Sequence, residues 1–265
     1  MTALGISQLP KTVLEEGGRR YATLLGRIEA AAGRAGRDPG EITLVGVAKK
    51  QPTERTLAAI AAGLRVIGQS YIQEARAMRP EIEAALAADP TSEDLRLEWH
   101  MVGRLQRNKA SLAARLFDAI ESVDRPELVE TLARRAETEG RPVDVMLQVS
   151  LCGEPQKGGC EPDALPALAR QVLGCASLRL GGFMTLPASN PDPEAARPVF
   201  RRLRELRGEL ARTLPALGSA ALSMGMSGDF EVAIEEGATL VRVGTALFGE
   251  RLVAGRPGEK PTRGD

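Results

Sequence analysis

The chain has 265 residues, and its 35 Lys plus Arg balance 35 Asp plus Glu, so with its one His neutral the formal net charge is zero. That balance excludes the global electrostatic pull toward nucleic acid or anionic membrane that a basic protein carries. No apolar stretch approaches the ~20 residues needed to cross a bilayer, and the opening MTALGISQLPKTVLEEG lacks the charged-then-apolar layout of a signal peptide. Cys152, Cys160 and Cys175 are odd in number and lack C-x-x-C spacing, and a single His gives no zinc pattern. The expectation is a cytoplasmic protein with reduced thiols and no metal.

In chain order, residues 1–10 are expected to be flexible and residues 11–35 to form a helix ahead of the first strand. Strand-like apolar runs then follow at 43–48 (TLVGVA), 65–68 (RVIG), 97–102 (LEWHMV) and 119–123 (AIESV). They continue at 143–149 (VDVMLQV), 178–184 (LRLGGFM), 222–224 and 239–243. Amphipathic stretches at 53–62, 106–116, 126–139, 163–173 and 193–214 separate them. Parallel strands need crossovers of a dozen residues or more, and helical intervals supply them. Eight such units without a long composition break predict an α/β fold, a single closed (β/α)8 barrel of TIM type over residues 11–251, in preference to an open sheet. Residues 87–94 and 189–194 read as loops and 252–265 as a flexible tail. The basic run Arg201, Arg202, Arg204, Arg207 and Arg212 has Glu205 and Glu209 among it, so it reads as a solvated helix face.

The first strand ends in Lys49-Lys50, at the end of a barrel strand where active sites lie. Alternation places Val45, Val47 and Lys49 on one face and Gly46, Ala48 and Lys50 on the other, so only one lysine faces the barrel. An inward lysine, desolvated and near other cations, is a nucleophilic amine able to form a Schiff base; its plainer reading is a solvent lysine. His100 and Trp99 point to opposite faces, and His100 is either a satisfied core residue or an acid/base at the rim, where Gly103 and a polar run follow. Met184, Thr185, Gln148, Glu154 and Lys157 are weaker candidates for the same rim.

The segment from Ala221 to Arg251 is the most informative. Ser227 reads as the N-cap of a helix whose first turn holds Asp229 and Glu231. Ser227 and Gly244-Thr245 stand after the last two strands, where a barrel of this kind holds a phosphate on backbone amides. Arg242, two residues before Gly244, is inward; it would meet a phosphate oxygen or heteroaromatic nitrogen, or else an internal acid such as Glu98 or Glu121.

Several blocks resemble the pyridoxal 5′-phosphate (PLP) homeostasis protein family. VAKKQP at 47–52 is similar to its lysine-bearing V-S-K-x-x-P segment, and WHMVGRLQRNK, SVDR, GEPQKGG, SMGMSGDFEVAI and VRVGTALFG match further blocks in order, from about Leu14 to Arg251. The family's G-E-N-Y-x-Q-E is here Gly68-Gln69-Ser70-Tyr71-Ile72-Gln73-Glu74, and its first-strand Ser is Ala48. The resemblance implies the PLP-binding barrel shared with the N-terminal domain of alanine racemase. It implies PLP as cofactor, held as a Schiff base on Lys49, with Ser227, Gly244 and Thr245 on the phosphate and Arg242 on the ring nitrogen.

The implied role is a cytoplasmic PLP carrier and buffer with little or no catalysis. Free amino acids and PLP-accepting apo-enzymes are its expected partners, with no nucleic acid or membrane, and the protein is expected to be a monomer. A permanently protonated arginine at the ring nitrogen leaves a poor electron sink, which suits storage. The alternative is a small PLP-dependent amino-acid racemase. In the racemase of this fold a separate β-domain supplies the tyrosine opposite the lysine, and residues 244–265 are too few for one. Tyr71 and His100 are then the candidate acid/base residues, Tyr21 lying in the helix before the barrel.

Overall fold

The computed structural model describes residues 5–92 and 94–250. Arg251, the expected tail 252–265 and residues 1–4 lie outside the described residues. Eight parallel strands run β1 (Thr43–Val47), β2 (Val66–Gln69), β3 (Glu98–Met101), β4 (Ala119–Val123), β5 (Val143–Gln148), β6 (Leu178–Met184), β7 (Ala221–Ser223) and β8 (Leu240–Val243). They lie in sequential order and close, with Val45 of β1 level with both Val66 of β2 and Arg242 of β8. The α/β barrel expected from the alternating pattern is therefore the observed architecture.

Helices connect the strands: α1 (Lys11–Arg34), α2 (Thr53–Ala62), α3 (Ile72–Ala87), α4 (Ala110–Leu116), α5 (Pro126–Glu139), α6 (Leu165–Leu173), α7 (Arg197–Ala211), α8 (Phe230–Glu235) and α9 (Thr245–Phe248). α1 precedes the barrel and lies along α2, α8 and α9, burying Leu24, Ile28, Ala31 and Ala32. Gly17 explains how closely α1 approaches α2: a Cβ there would sit 2.7 Å from the Ala58 methyl. The stretch at 106–116 begins in a 3₁₀ turn at Arg107–Lys109, and Pro162, Pro193 and Pro215 open the 3₁₀ turns that bound the stretches at 163–173 and 193–214.

Residues 5–10, expected to be flexible, are instead packed. Ile6 and Leu9 are buried, and the Ser7 amide donates to the buried Asp89 carboxylate at 3.1 Å. Two apolar residues at a spacing of three in a 3₁₀ turn put both on one face, and the turn packs against α2.

The core is divided by the sheet. The larger part lies between strands and helices and holds Trp99, Phe117, Phe183, Phe200 and Phe230, all fully buried. Truncating any of these to Ala costs about 3–5 kcal/mol in cavity and lost burial. The smaller part fills the barrel with Val45, Val47, Val66, Val102, Met146, Met184 and Leu240. A barrel of this kind is ordinarily packed throughout with branched apolar residues. Here a polar set, His100, Glu121, Ser223 and Arg242, takes part of that interior, all at 5% exposure or less.

Candidate functional site

The C-terminal ends of the strands open onto a cavity of about 790 Å³. Lys49, Tyr71, Ser227, Arg242, Gly244 and Thr245 all line it. So do Arg104 and Lys109, which makes four cationic side chains, and among the described residues no carboxylate does. Val47, Val102, Leu186 and Met226 supply an apolar wall.

Strand parity decides between the two lysines. Val45 and Val47 pack inside the barrel, while Gly46 faces Leu64 and Leu247 of the outer layer. Lys49 continues the inward set and is half-buried at the cavity. Lys50 turns away, exposed and with φ of 56°, a left-handed backbone disfavoured for a residue with a Cβ. Glu74 of α3 secures that turn, its carboxylate accepting the Lys50 amide at 2.9 Å. Gln51 lines the cavity too, and donates from its side-chain amide to the Gly249 carbonyl at 3.2 Å.

Ser227 does not cap the helix that follows it, as its sequence position had led us to expect. α8 begins three residues later at Phe230, and Asp229 turns back to accept the Met226 amide at 2.6 Å. The Ser227 hydroxyl reaches across to the next unit, accepting the Gly244 and Ala246 amides at 3.3 and 3.4 Å. It therefore joins the start of α9 and leaves its own proton to donate. Gly244 leaves room there, since a Cβ would make a tight contact of 3.2 Å with the Val47 carbonyl oxygen.

Arg242 has one of the internal acids that the sequence offered, Glu121, and it also reaches the cavity. It lines the cavity, and its guanidinium also donates to the Ser223 hydroxyl at 2.5 Å and the Thr185 carbonyl at 2.9 Å. The Glu121 carboxylate lies 3.8 Å away. Glu98, the other acid considered, is largely exposed and sits 3.5 Å from His100 instead. Burial lowers the Arg242 pKa, opposed by the negative charges of Glu121 and Asp229.

His100 is not at the mouth and does not line the cavity. Its Nδ1 lies 2.7 Å from Glu121 Oε1 in the buried interior. Burial disfavours the imidazolium, but the hydrogen bonds and charges of Glu121 and Glu98 outweigh it and push the pKa up to about 9. Burial likewise works against the Glu121 carboxylate, and His100, Arg242 and Ser223 together hold its pKa below the usual value. Of the two readings that the sequence left open for His100, its burial and its bond to Glu121 favour the satisfied core residue. Tyr71 is half-exposed at the cavity, while Tyr21 lies on α1 against Gly63, outside the barrel.

The remaining candidates brace the rim. Met184 is buried inside the barrel, and the Thr185 hydroxyl donates to the Val149 carbonyl at 3.0 Å. Gln148 donates to the Lys157 carbonyl at 2.8 Å, and the Lys157 ammonium donates to the Pro187 carbonyl and pairs with Glu154. In SVDR, Ser122 donates to the Gly103 carbonyl, Asp124 accepts the Gly159 amide, and Arg125 donates to the Leu105 carbonyl. Of the Gln69-Ser70 pair, Gln69 faces α3 and contacts Met78, and Ser70 lines the cavity. Sequence reasoning did not single out Ser223, whose signal was a hydroxyl at inward parity in an otherwise apolar strand. Of the polar run that the sequence placed at the rim after Gly103, Arg104 and Lys109 line the cavity.

The alanine racemase N-terminal domain model matches residues 37–252. The chain is 43% identical over 230 residues to the pyridoxal phosphate homeostasis protein of Pseudomonas aeruginosa, covering 87% of this chain and 94% of that one. It is 42% identical over 232 residues to the protein of the same name from Aquifex aeolicus, covering 88% and 97%. Among solved structures, PipY of Synechococcus elongatus with PLP bound superposes with a TM-score of 0.71 at 36% identity, covering 84% of this chain and 100% of that one. With the barrel, the strand-end cavity and similarity over nearly the full length of those relatives all in agreement, the chain belongs to the pyridoxal phosphate homeostasis protein family, within the group built on the alanine racemase N-terminal domain.

Proposed function

We propose that this chain holds pyridoxal 5′-phosphate at the mouth of the barrel and serves in the intracellular homeostasis of that cofactor, as a carrier and buffer with little or no catalysis. The observation that carries the reading is the cavity itself: four cations and no carboxylate among its described lining residues, in a chain of zero net charge. The donor set fits the group. Ser227 keeps a hydroxyl proton beside the Gly244 amide, Lys49 presents an amine, Arg242 presents a guanidinium, and Val102, Leu186 and Met226 offer an apolar wall for a ring.

When bound, PLP supplies an aldehyde for a lysine amine, a phosphate, and a ring nitrogen that accepts a hydrogen bond. Lys49 furnishes the amine for the covalent Schiff-base link. Ser227, Gly244 and Thr245 hold the phosphate by hydroxyl and backbone donors. Arg242 stays protonated and donates at the ring nitrogen, an arrangement that disfavours carbanion chemistry and favours storage. His100, tied to Glu121, is withheld from proton transfer in the cavity. Free amino acids and apo-enzymes that need the cofactor are the partners this reading assigns, and the protein acts as a monomer. A cytoplasmic location accords with three free cysteines; Cys160 is buried, with its thiol pKa pushed up to about 12. Among the described residues no helix is long and apolar enough to cross a membrane.

Borohydride reduction of the loaded protein followed by peptide mass mapping should place the phosphopyridoxyl group on Lys49. A label found only on Lys50 or Lys157 would overturn the assignment. The second reading, a small racemase, has one observation in its favour, the presence of Tyr71 on the cavity wall opposite no other tyrosine. Deuterium uptake at Cα of L- or D-alanine at about 1 per second or faster, abolished by Tyr71→Phe, would establish that reading instead.

A further inference from the structure

Beneath the cavity, four buried side chains from four strands form one continuous run. Arg242 of β8 donates through Nη1 to Ser223 Oγ of β7 at 2.5 Å. Ser223 donates to Glu121 Oε2 of β4 at 2.5 Å. The other oxygen of Glu121 meets His100 Nδ1 of β3 at 2.7 Å. Glu121 and Ser223 have no exposed surface, and Arg242 and His100 have 4% and 5%.

The direction of every proton in this run is fixed by chemistry. Arginine has no acceptor, so the serine oxygen must accept from it. The single serine proton is then left for Glu121, and an ionised Glu121 can only accept. The charged groups that face the run are His100 and Glu98 from β3, Glu121 from β4, Arg242 from β8 and Asp229 ahead of α8; Thr185, just after β6, contributes its carbonyl. Glu121 is the one fully buried anion among them, set between two buried cations.

We infer that Glu121 is a positioning residue for Arg242, acting through Ser223, and that His100 anchors Glu121 from the far side. This deepens the reading that Arg242 meets the cofactor and rests on it. A buried carboxylate shared by two partners cannot rotate toward one without abandoning the other. The guanidinium is therefore clamped between Ser223 and Thr185, with its free edge left for the cavity. Removing the carboxylate takes away the one fully buried anion between the two cations, leaving only the more exposed Glu98 and Asp229 nearby, and the arginine loses its fixed aim.

His100 is the only histidine of the chain, so its ring resonances report the run without ambiguity. In the apo protein at pH 7.5, nitrogen-15 NMR should show a doubly protonated ring in wild type and a neutral one in Glu121→Gln. Loading wild type with PLP should shift the His100 signals although His100 does not line the cavity, and Ser223→Ala should abolish that shift. Both variants should release PLP about tenfold faster than wild type and show a displaced visible absorption band, the size expected for one lost buried hydrogen bond to a charged group. Should Glu121→Gln fail to fold, Ser223→Ala, which removes a single hydroxyl, carries the test. Wild-type retention and spectrum in Ser223→Ala, together with a His100 signal indifferent to loading, would overturn the inference. Wild-type protein that takes up no PLP would overturn the functional reading itself, and the apo His100 titration would still decide whether Glu121 holds His100.

Discussion

Two regions of this molecule are rich in basic side chains, and they differ in where their counter-charges are. On the outer face, α7 carries Arg197, Arg201 and Arg204 around the nearly buried carboxylate of Glu236, with Arg197 also on Glu194 and Glu235, and Arg202 on Glu209. Arg207, half-buried, donates to the Ala220 carbonyl, and burial lowers its pKa. At the barrel mouth, Lys49, Arg104, Lys109 and Arg242 line a cavity to which no described carboxylate contributes. Arginine density alone marks neither region as an anion site. Placement of the acids does: they stand within the α7 face, and at the mouth they stand behind the wall, as Glu121 stands behind Arg242.

The comparison predicts that substitutions at the mouth change ligand retention and leave the fold, while those around Glu236 change stability and leave retention. The largest effect belongs to Lys49→Ala, which should abolish the borohydride-trapped adduct entirely while leaving urea denaturation close to wild type. A folded variant that still trapped PLP elsewhere at full yield would break the distinction.

Next comes Glu236→Gln, which strips three arginines of a shared partner that is only 5% exposed on its side chain. The arginines themselves are 26%, 53% and 41% exposed and solvent screens them, so the loss should be about 1–2 kcal/mol, read as a lower urea midpoint, with PLP release unchanged. The pH dependence has a definite sign. Burial opposes the Glu236 charge, yet Arg201, Arg197 and Arg204 bring its folded pKa below the ordinary value. Its contribution is therefore complete above the unfolded glutamate pKa and is lost as pH falls through the depressed folded value. His100 contributes with the opposite sign: its stabilisation is complete below the unfolded imidazole pKa and is lost as pH rises through about 9.

Ser227→Ala sharpens the comparison at smaller scale. Losing one hydroxyl at the start of α9 should weaken PLP retention by on the order of 1–2 kcal/mol, measured as faster loss on dialysis, with little change in urea midpoint. The smallest effect is expected for Arg202→Ala. Its pair with Glu209 joins two side chains each more than two-fifths exposed, so solvent screens it, and neither stability nor retention should move beyond error.

The strands were legible because parallel strands buried on both faces leave continuous apolar runs, and the 119–123 and 178–184 runs coincide with β4 and β6. Inward parity was legible for Lys49 and Arg242 for the same reason, since the period of two is a local property of the backbone. The helix breaks at Pro162 and Pro193 were written in the residues but not their consequence, a 3₁₀ turn before the α-helix proper. Packing of residues 5–10 was not legible, because it depends on Asp89, far along the chain.

The sequence by itself determined the barrel, the family, that only one of Lys49 and Lys50 faces inward, and the grouping of Ser227, Gly244 and Thr245 after the last two strands. Tertiary structure alone decided the partners. Ser227 caps a neighbouring unit and not its own helix, and His100 bonds to Glu121 in the buried interior. Arg242 stands both at the cavity and on a buried acid relay. The physical reason is range: periodicity and turn chemistry act over a few residues. Polar pairing, by contrast, acts across the closed barrel, where Ser223 donates a hydrogen bond to Glu121 across a separation of 102 residues.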